Sequence, residues 1–370
     1  MNETLTAPVG RVRGPGGDRR RGPGETPVFA ALDLGTNNCR LLIAAPTTRG
    51  FRIIDAFSRI VRLGEGLSHS GRLGEAAMER AIAALRICAG KIGRRGASRV
   101  RAVATEACRS AANGPRFLTE VAEQTGLRLS IITPREEAQL SVAGCLNLLD
   151  RGASAALVVD VGGGSTEMSW VDLTAPGLDA TPRRAAHWRL PIKAWLSIPI
   201  GVVTLAERFP EGAGDGAAWF RSMVEAMKHE IGAFTGAENY RAVFAAGRAH
   251  LVGTSGAITS LAGLHLGLAR YDRSRVDGLW MTRAECDAVT RRLAALTVGE
   301  RAAQPCIGPG RADLVMAGAA ILRAVQALWP CERVRVADRG LREGLLLSLM
   351  SEHGPGRPRR RGGGRQGAAA

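Results

Sequence analysis

The sequence predicts an α/β protein of two domains that face each other across a ligand-binding cleft, and three observations predict it. The first is size: 370 residues, 45% of them apolar, make a chain long for one compact unit and able to fill two cores. The second is that apolar runs of strand length alternate with stretches of helical periodicity, as in sheets layered with helices. The third is a duplication. Phe29 to Ala44, FAALDLGTNNCRLLIA, and Ala155 to Trp170, AALVVDVGGGSTEMSW, both read as strand, Asp, one residue, Gly, polar turn, strand.

The chemistry of the repeat lies in its turns. Gly162, Gly163 and Gly164 lack Cβ atoms, so backbone N–H groups can converge on one anion, with the hydroxyls of Ser165 and Thr166 as further donors. Gly35, Thr36 and Asn37 stand at the matching positions of the first copy. Asp160 and Glu167 flank the second turn, and carboxylates beside bound phosphate repel it unless a hard divalent cation lies between. The repeat therefore proposes two phosphate loops facing across a cleft, with Mg²⁺. A flexible hairpin tip is the bland alternative for either turn alone.

The remaining elements follow in chain order. Residues 1–27 are Gly-, Pro- and Arg-rich with almost nothing to bury, and read as a disordered basic tail. Met78, Ile82, Leu85, Cys88 and Ile92 recur at helical spacing between Glu75 and Gly93, an amphipathic helix packed on a sheet. Arg99 to Thr105 reads as a strand, which places Arg109 just past its C-terminal end, where α/β proteins put ligand contacts. Asn113 and Pro115 are positioned to cap and open the next helix. Leu129 to Ile132 is a short strand. Thr133-Pro134-Arg135-Glu136 then forms a capping-box sequence for a helix reaching about Leu149.

Within that helix Glu137 sits in the first turn, where the dipole favours its ionised form. Such a carboxylate suits a general base for water, or is an ordinary surface glutamate. Thr174 to Ala194, with His187, Trp188 and Lys193, reads as a loop with charged residues near the cleft. Ser197 to Val203 is a strand running into a helix that ends near Phe209, and Ala217 to Phe234 is another helix. Leu251 to Leu264 contains a third glycine turn, with Thr254 and Ser255 at its tip. A second capping box, Thr282 with Glu285, starts a helix to about Leu296, and Arg311-Ala312-Asp313 begins an apolar helix. Arg333 to Ala337 is a strand, and Leu345 to Met350 is the last helix.

Composition narrows the partners. The formal charge is +16; residues 1–26 contribute +2 and residues 354–370 contribute +5, so the body is itself basic at +9. Anionic partners follow: nucleotides, polyphosphate, or nucleic acid held unspecifically by the Arg-rich ends. Seven scattered cysteines without a C-x-x-C spacing suggest neither a disulfide framework nor a zinc site, and fit a reducing cytoplasm. No run is apolar for long enough to span a bilayer, and the first residues do not form a secretory signal.

The segments ALDLGTNNCRLLIA, ATEACRSAANG, REEAQLSVAG, VVDVGGGSTEMSW, LVGTSGAITSLAGL, RADLVMAGAAIL and VRVADRGLREGLLLSLM, taken in order from Phe29 to Met350, resemble the exopolyphosphatase/guanosine pentaphosphate phosphatase (Ppx/GppA) family. The resemblance implies two ribonuclease-H-like domains of the actin, sugar-kinase and DnaK-type fold, here residues 28–150 and 151–338. It also implies that the C-terminal helix, residues 339–351, returns to the first domain before a basic tail at 352–370.

It implies Glu137 as catalytic base and Arg109 as a phosphate ligand. Gly35, Thr36 and Asn37 match the first phosphate loop, and Gly162 to Thr166 the second. Asp33 belongs to the first motif and, with Asp160 and Glu167, is expected at a site for Mg²⁺ (or Mn²⁺). Thr36 and Asn38 stand where relatives commonly carry serine. The chain ends too early for the C-terminal HD-type domains of longer members and reads as the short form. The implied substrates are polyphosphate or guanosine penta-/tetraphosphate, and a homodimer is implied by the family alone. A kinase of the same fold and a non-catalytic sensor of alarmone or polyphosphate are the rival readings.

Overall fold

A computed structural model of the chain describes residues 26–48, 50–175, 190–212, 214–232 and 238–352. Eleven strands among them form two sheets. The first sheet contains β1 (Phe29–Leu34), β2 (Asn38–Thr47), β3 (Gly50–Ile60), β4 (Arg99–Ala104) and β5 (Ser130–Ile131), in the order β3-β2-β1-β4-β5. The second contains β6 (Ala155–Val161), β7 (Thr166–Asp172), β8 (Ile192–Ile198), β9 (Ala249–Thr254), β10 (Trp280–Thr282) and β11 (Arg333–Ala337), in the order β10-β11-β9-β6-β7-β8.

Five strands of each sheet obey one plan. A hairpin is extended by a third antiparallel strand on one side, and two parallel strands lie on the other. Only β10, antiparallel to β11, has no counterpart. The duplication legible in two glycine turns is thus a duplication of whole sheets, the ribonuclease-H-like plan used twice.

Each sheet is sandwiched because its strands are apolar on both faces. In β1, Leu32 and Leu34 pack with Leu41 and Ile43 against Met78, Ile82, Leu85 and Cys88 of the helix Glu75–Arg94. The opposite face, Phe29, Ala31, Leu42 and Ala44, is covered by Leu345, Leu346 and Leu349 of the C-terminal helix Leu341–Glu352. This helix crosses the helix Pro134–Cys145 backbone against backbone. A Cβ on Gly344 would stand 2.1 Å from the Leu140 carbonyl oxygen, and one on Gly144 only 2.0 Å from that of Gly340. In the second half, Trp170 and Trp329 meet edge to face inside a core that includes Met223, Met227 and Ile321.

Several local expectations need correction. Asn113 precedes the helix Gly114–Thr125 but makes no capping bond; its buried side chain instead bonds the backbone N–H and C=O of Leu73. Thr133 accepts from the Glu136 N–H, yet the capping box is only half made, because the Glu136 carboxylate pairs with Arg101. The Thr282–Glu285 box is complete. β8 begins at Ile192, inside the stretch read as loop, and Lys193 on it pairs with Asp172 at 3.3 Å rather than serving the cleft. His187 and Trp188 lie outside the described residues. The apolar helix after Arg311 begins only at Val315, and the last helix begins at Leu341.

Strand β3 escapes the sequence patterns altogether, since its mix of Arg, Asp and Ser with half-buried apolar residues lacks strict alternation. The helix Glu238–Ala245 escapes them too. Among the described residues, no helix is long and apolar enough to cross a membrane.

Candidate functional site

The two glycine turns meet. Gly35 closes the first by donating to the Asn38 carbonyl at 2.9 Å. Residues 61–64 brace it from behind: Val61 and Arg62 N–H groups donate to the Asn37 carbonyl, and Gly64 to that of Thr36. Gly162 closes the second by donating to the Ser165 carbonyl at 2.9 Å. The first N–H groups of the helix Val202–Arg208 are spent on this turn, Val202 on the Gly162 carbonyl and Val203 on that of Gly163.

Face to face, the turns leave no room for side chains on the second. A Cβ on Gly164 would lie 2.6 Å from Thr36 Oγ1, and one on Gly163 3.0 Å from the Asn37 nitrogen. Between the sheets lies a cavity of about 120 Å³ lined by both turns and by Asp33, Glu137 and Asp160.

Carboxylates crowd the floor: Asp33, Glu137 and Asp160 line it, and Glu167 lies beside Asp160. Asp160 and Glu167 are direct cross-strand partners on β6 and β7. Asp160 accepts from Ser141 Oγ, and Glu167 from Ser197 Oγ at 3.0 Å. Ser141 lies one turn beyond Glu137, so one face of the helix Pro134–Cys145 presents both the candidate base and the group that orients Asp160. Burial pushes Asp33 up to about 6, against the opposing influence of Arg40 and Arg342. Burial raises Asp160 as well, while the Ser141 bond and Arg40 oppose it. Burial and then the neighbouring Asp160 push Glu167 up to about 8.

Glu137 requires a correction. The dipole argument expected an ionised group, but burial, followed by the charge of Glu167, raises it well above the ordinary carboxylate range, with Arg109 opposing. Desolvation outweighs the helix dipole because Glu137 is only 8% exposed.

Most of the expected residues converge, and a few do not. Asp33, Gly35, Thr36, Asn37, Glu137, Asp160, Gly162, Gly163, Gly164 and Ser165 all line the cavity, whereas Arg109, Thr166 and Glu167 are not among its lining residues. Thr166 was expected to donate to phosphate, but its single hydroxyl hydrogen goes to the Ile200 carbonyl at 2.7 Å. Arg109 Nη1 donates to Glu137 Oε2 at 3.2 Å and to the Ile132 carbonyl at 2.8 Å. Thr254 and Ser255 line the cavity with committed hydroxyls, Thr254 donating to the Arg339 carbonyl and Ser255 capping the helix Gly256–His265.

Sequence reasoning missed the basic wall. Arg40, Arg311 and Arg342 line the cavity, and their side chains make no hydrogen bond or ion pair among the described residues. Arg40 and Arg311 converge on Gly256: a Cβ there would lie 3.5 Å from Arg40 Nη2 and 3.6 Å from Arg311 Nε. Burial and the nearby charge of Arg342 lower the Arg40 pKa. Guanidinium groups so placed, near Asp33 and Glu343 but in no direct bond with a carboxylate, leave donors for an anion between them. In a chain this basic no single arginine stands out; the one available signal was the register that sets Arg40 opposite Asp33 on β2.

Among the described residues no three His, Cys, Asp or Glu side chains form a ready-made metal cage. A Mg²⁺ site does not need one, since this ion is commonly held by one or two carboxylates together with substrate phosphate and water. Asp33 and Asp160 both line the cavity, and Asp33 Oδ1 is a buried acceptor without a partner. That donor chemistry fits a hard divalent cation.

The comparisons with known proteins agree with this architecture. The chain is 30% identical over 337 residues to exopolyphosphatase 2 of Mycobacterium tuberculosis, with 86% of this chain and 98% of that protein covered. It is 29% identical over 328 residues to the guanosine-5'-triphosphate,3'-diphosphate pyrophosphatase of Photobacterium profundum, covering 88% of this chain but only 60% of that longer protein. The crystal structure of the Ppx/GppA family member of Aquifex aeolicus superposes with a TM-score of 0.69 at 27% identity, over 89% of this chain and 99% of that one. The sequence profile of the Ppx/GppA phosphatase family matches residues 42–353. With its doubled sheet and its paired glycine turns, the chain belongs to the Ppx/GppA phosphatase family.

Proposed function

We propose that this protein hydrolyses the terminal phosphoanhydride of inorganic polyphosphate. The observation that carries the reading is the division of the cleft into an acidic floor and an unpaired basic wall, joined by two glycine turns in contact. The turns offer backbone N–H groups and the hydroxyl of Thr36 to a terminal phosphoryl group, while the Ser165 hydroxyl bonds Glu167. Arg40, Arg311 and Arg342 hold the following, non-reacting phosphates, and the basic body draws the polyanion in. Asp33 and Asp160 would hold Mg²⁺ (or Mn²⁺), with Glu167 behind Asp160; the cation would supply neutralising charge to the phosphoryl oxygens.

Glu137 reaches the same cavity and, once ionised, accepts the proton of the attacking water. Burial raises its pKa above the ordinary carboxylate range, which makes it a stronger base once ionised. The proton leaves water as its oxygen bonds to phosphorus, and the shortened polyphosphate departs as an anion.

The test is phosphate release from long-chain polyphosphate with Mg²⁺. Glu137→Gln is expected to lower kcat by about 10²–10⁴ while the protein folds normally; near-normal release by this variant would sink the assignment. Transfer to a small alcohol in preference to water would instead establish a kinase, and tight binding without turnover a sensor.

The same wall favours a second reading, the 5'-phosphohydrolysis of guanosine pentaphosphate, because three arginines without direct side-chain bonds suit a ligand that carries two separate phosphate chains. Comparing kcat/KM for long-chain polyphosphate and guanosine pentaphosphate decides between them; a ratio in favour of the nucleotide makes guanosine pentaphosphate the preferred substrate.

A further inference from the structure

Residues 61–68 bond to both halves of the molecule. Toward the first glycine turn they give three backbone bonds: Val61 and Arg62 N–H to the Asn37 carbonyl at 2.9 and 3.1 Å, and Gly64 N–H to that of Thr36 at 2.9 Å. Toward the second half they are anchored twice. The Gly66 N–H and the Ser68 hydroxyl donate to the two carboxylate oxygens of Glu207. The Arg62 guanidinium meets Asp313 with two prongs, Nη2 to Oδ1 at 3.0 Å and Nη1 to Oδ2 at 2.9 Å.

Among the described residues Arg62 is also the one non-glycine residue with a positive φ, at 48°. A residue with a Cβ enters this left-handed region only at a cost, and such strain persists where the surroundings over-determine it. Here the N–H is tied to the first turn, the carbonyl accepts from Arg80, and the guanidinium is tied to Asp313. Asp313 has its own connection to the cavity. Leu314 and Val315 N–H groups donate to the Arg311 carbonyl at 3.0 and 2.9 Å, so Arg311 and Asp313 share one helical turn. The fully buried Arg301 fixes that turn through the Ala312 carbonyl at 3.2 Å. A short path thus runs from the Asn37 carbonyl through Arg62 and Asp313 to Arg311 of the basic wall.

Resting on the reading that the turns hold the terminal phosphoryl group and Arg311 a following phosphate, we propose that Arg62 and Asp313 are positioning residues that set the distance between these two phosphate sites. The sites belong to different halves, and bonded phosphates have a fixed spacing, so both fill at once only when the halves are held in register. The paired side chains are 33% and 40% exposed, so the pair adds little to stability and its effect is on geometry.

Asp313→Ala removes the pair and leaves Arg62 in place. Arg62→Gly removes it too, and glycine takes this φ without strain. Each is expected to raise KM for long-chain polyphosphate about tenfold with kcat changed less than about threefold, the pattern of lost binding rather than lost chemistry, and to melt within a few degrees of the parent.

The deciding comparison uses Arg311→Ala, which is expected to raise KM itself. If the pair acts through Arg311, adding Asp313→Ala to Arg311→Ala raises KM no further. KM increases that multiply in full, a parental KM in either Asp313→Ala or Arg62→Gly, or an increase that tracks a fall in unfolding temperature would each overturn the inference. Should Arg311→Ala keep the parental KM, the wall reading falls and this inference falls with it. Should Arg311→Ala raise KM while Asp313→Ala and Arg62→Gly do not, only the inference falls.

Discussion

The two glycine turns occupy equivalent places in equivalent sheets, yet their polar atoms are in opposite condition. In the second turn nearly everything is satisfied: Thr166 donates to Ile200, Glu167 accepts from Ser197, Asp160 accepts from Ser141, and the carbonyls of Gly162 and Gly163 accept from the following helix. In the first, Asp33 Oδ1, Thr36 Oγ1, Asn37 Oδ1 and Asn38 Oδ1 are all buried without a partner. Buried polar atoms without partners are costly and uncommon. Four in one turn set the first turn apart from the second, and on the proposed function they are the atoms a ligand would meet. The second turn is a finished scaffold that brings shape and charge; the first supplies the side-chain atoms that require something to bind.

This contrast can be broken at three points. The largest effect is expected at Asp33. Asp33→Asn removes a carboxylate that burial already pushes up to about 6, so the variant is expected to lose about 10²-fold in Mg²⁺-dependent kcat while its metal-free form melts higher at alkaline pH. A variant that loses both activity and stability would assign Asp33 to scaffolding and erase the difference between the turns.

The next effect concerns pH. Glu167 and Asp33 have raised pKa values in the folded protein, so near neutrality the native state binds more protons than the unfolded chain. Their contribution to stability is fully present below the unfolded carboxylate range and is lost as pH rises through about 6 for Asp33 and about 8 for Glu167. Without divalent metal, the unfolding temperature is expected to fall by several degrees from about pH 5 to about pH 8.5. Mg²⁺ should reduce that slope, since a cation near the acids favours their charged forms. A slope indifferent to Mg²⁺ would remove the cation from this floor.

The smallest effect is expected on the finished side. Thr166→Val leaves the Ile200 carbonyl without its donor and should cost about 1–3 kcal/mol of stability, with kcat within about threefold of the parent. A large fall in kcat at unchanged stability would return Thr166 to the substrate.

The elements read most accurately from sequence were those whose local signals agree with their tertiary role. The helix at Glu75 carries five apolar residues on one stripe, and Thr282 and Glu285 satisfy each other locally. Glycine turns were legible for the same reason, since close approach excludes any other residue at Gly164. What failed was decided by distant partners. Asn113 carries a cap sequence but bonds Leu73, and Glu136 carries a capping-box sequence but pairs with Arg101. The basic wall joins Arg40, Arg311 and Arg342 from far-apart segments, a convergence that no local pattern records. Glu137 was found by its place in a motif, but its pKa was misjudged because the helix dipole is visible in sequence and burial is not.

The last helix has a consequence for how the protein comes into being. One face of β1 and β2 is covered by Leu345, Leu346 and Leu349, which are made much later than those strands. Until that later segment is made the face is bare, an aggregation hazard of the kind long-range closure creates. The same helix carries Arg342 into the cleft. A nascent chain thus gains this core layer and part of its basic wall in one event, and a message cut just before Leu341 should yield a product that chaperones hold and proteases clear.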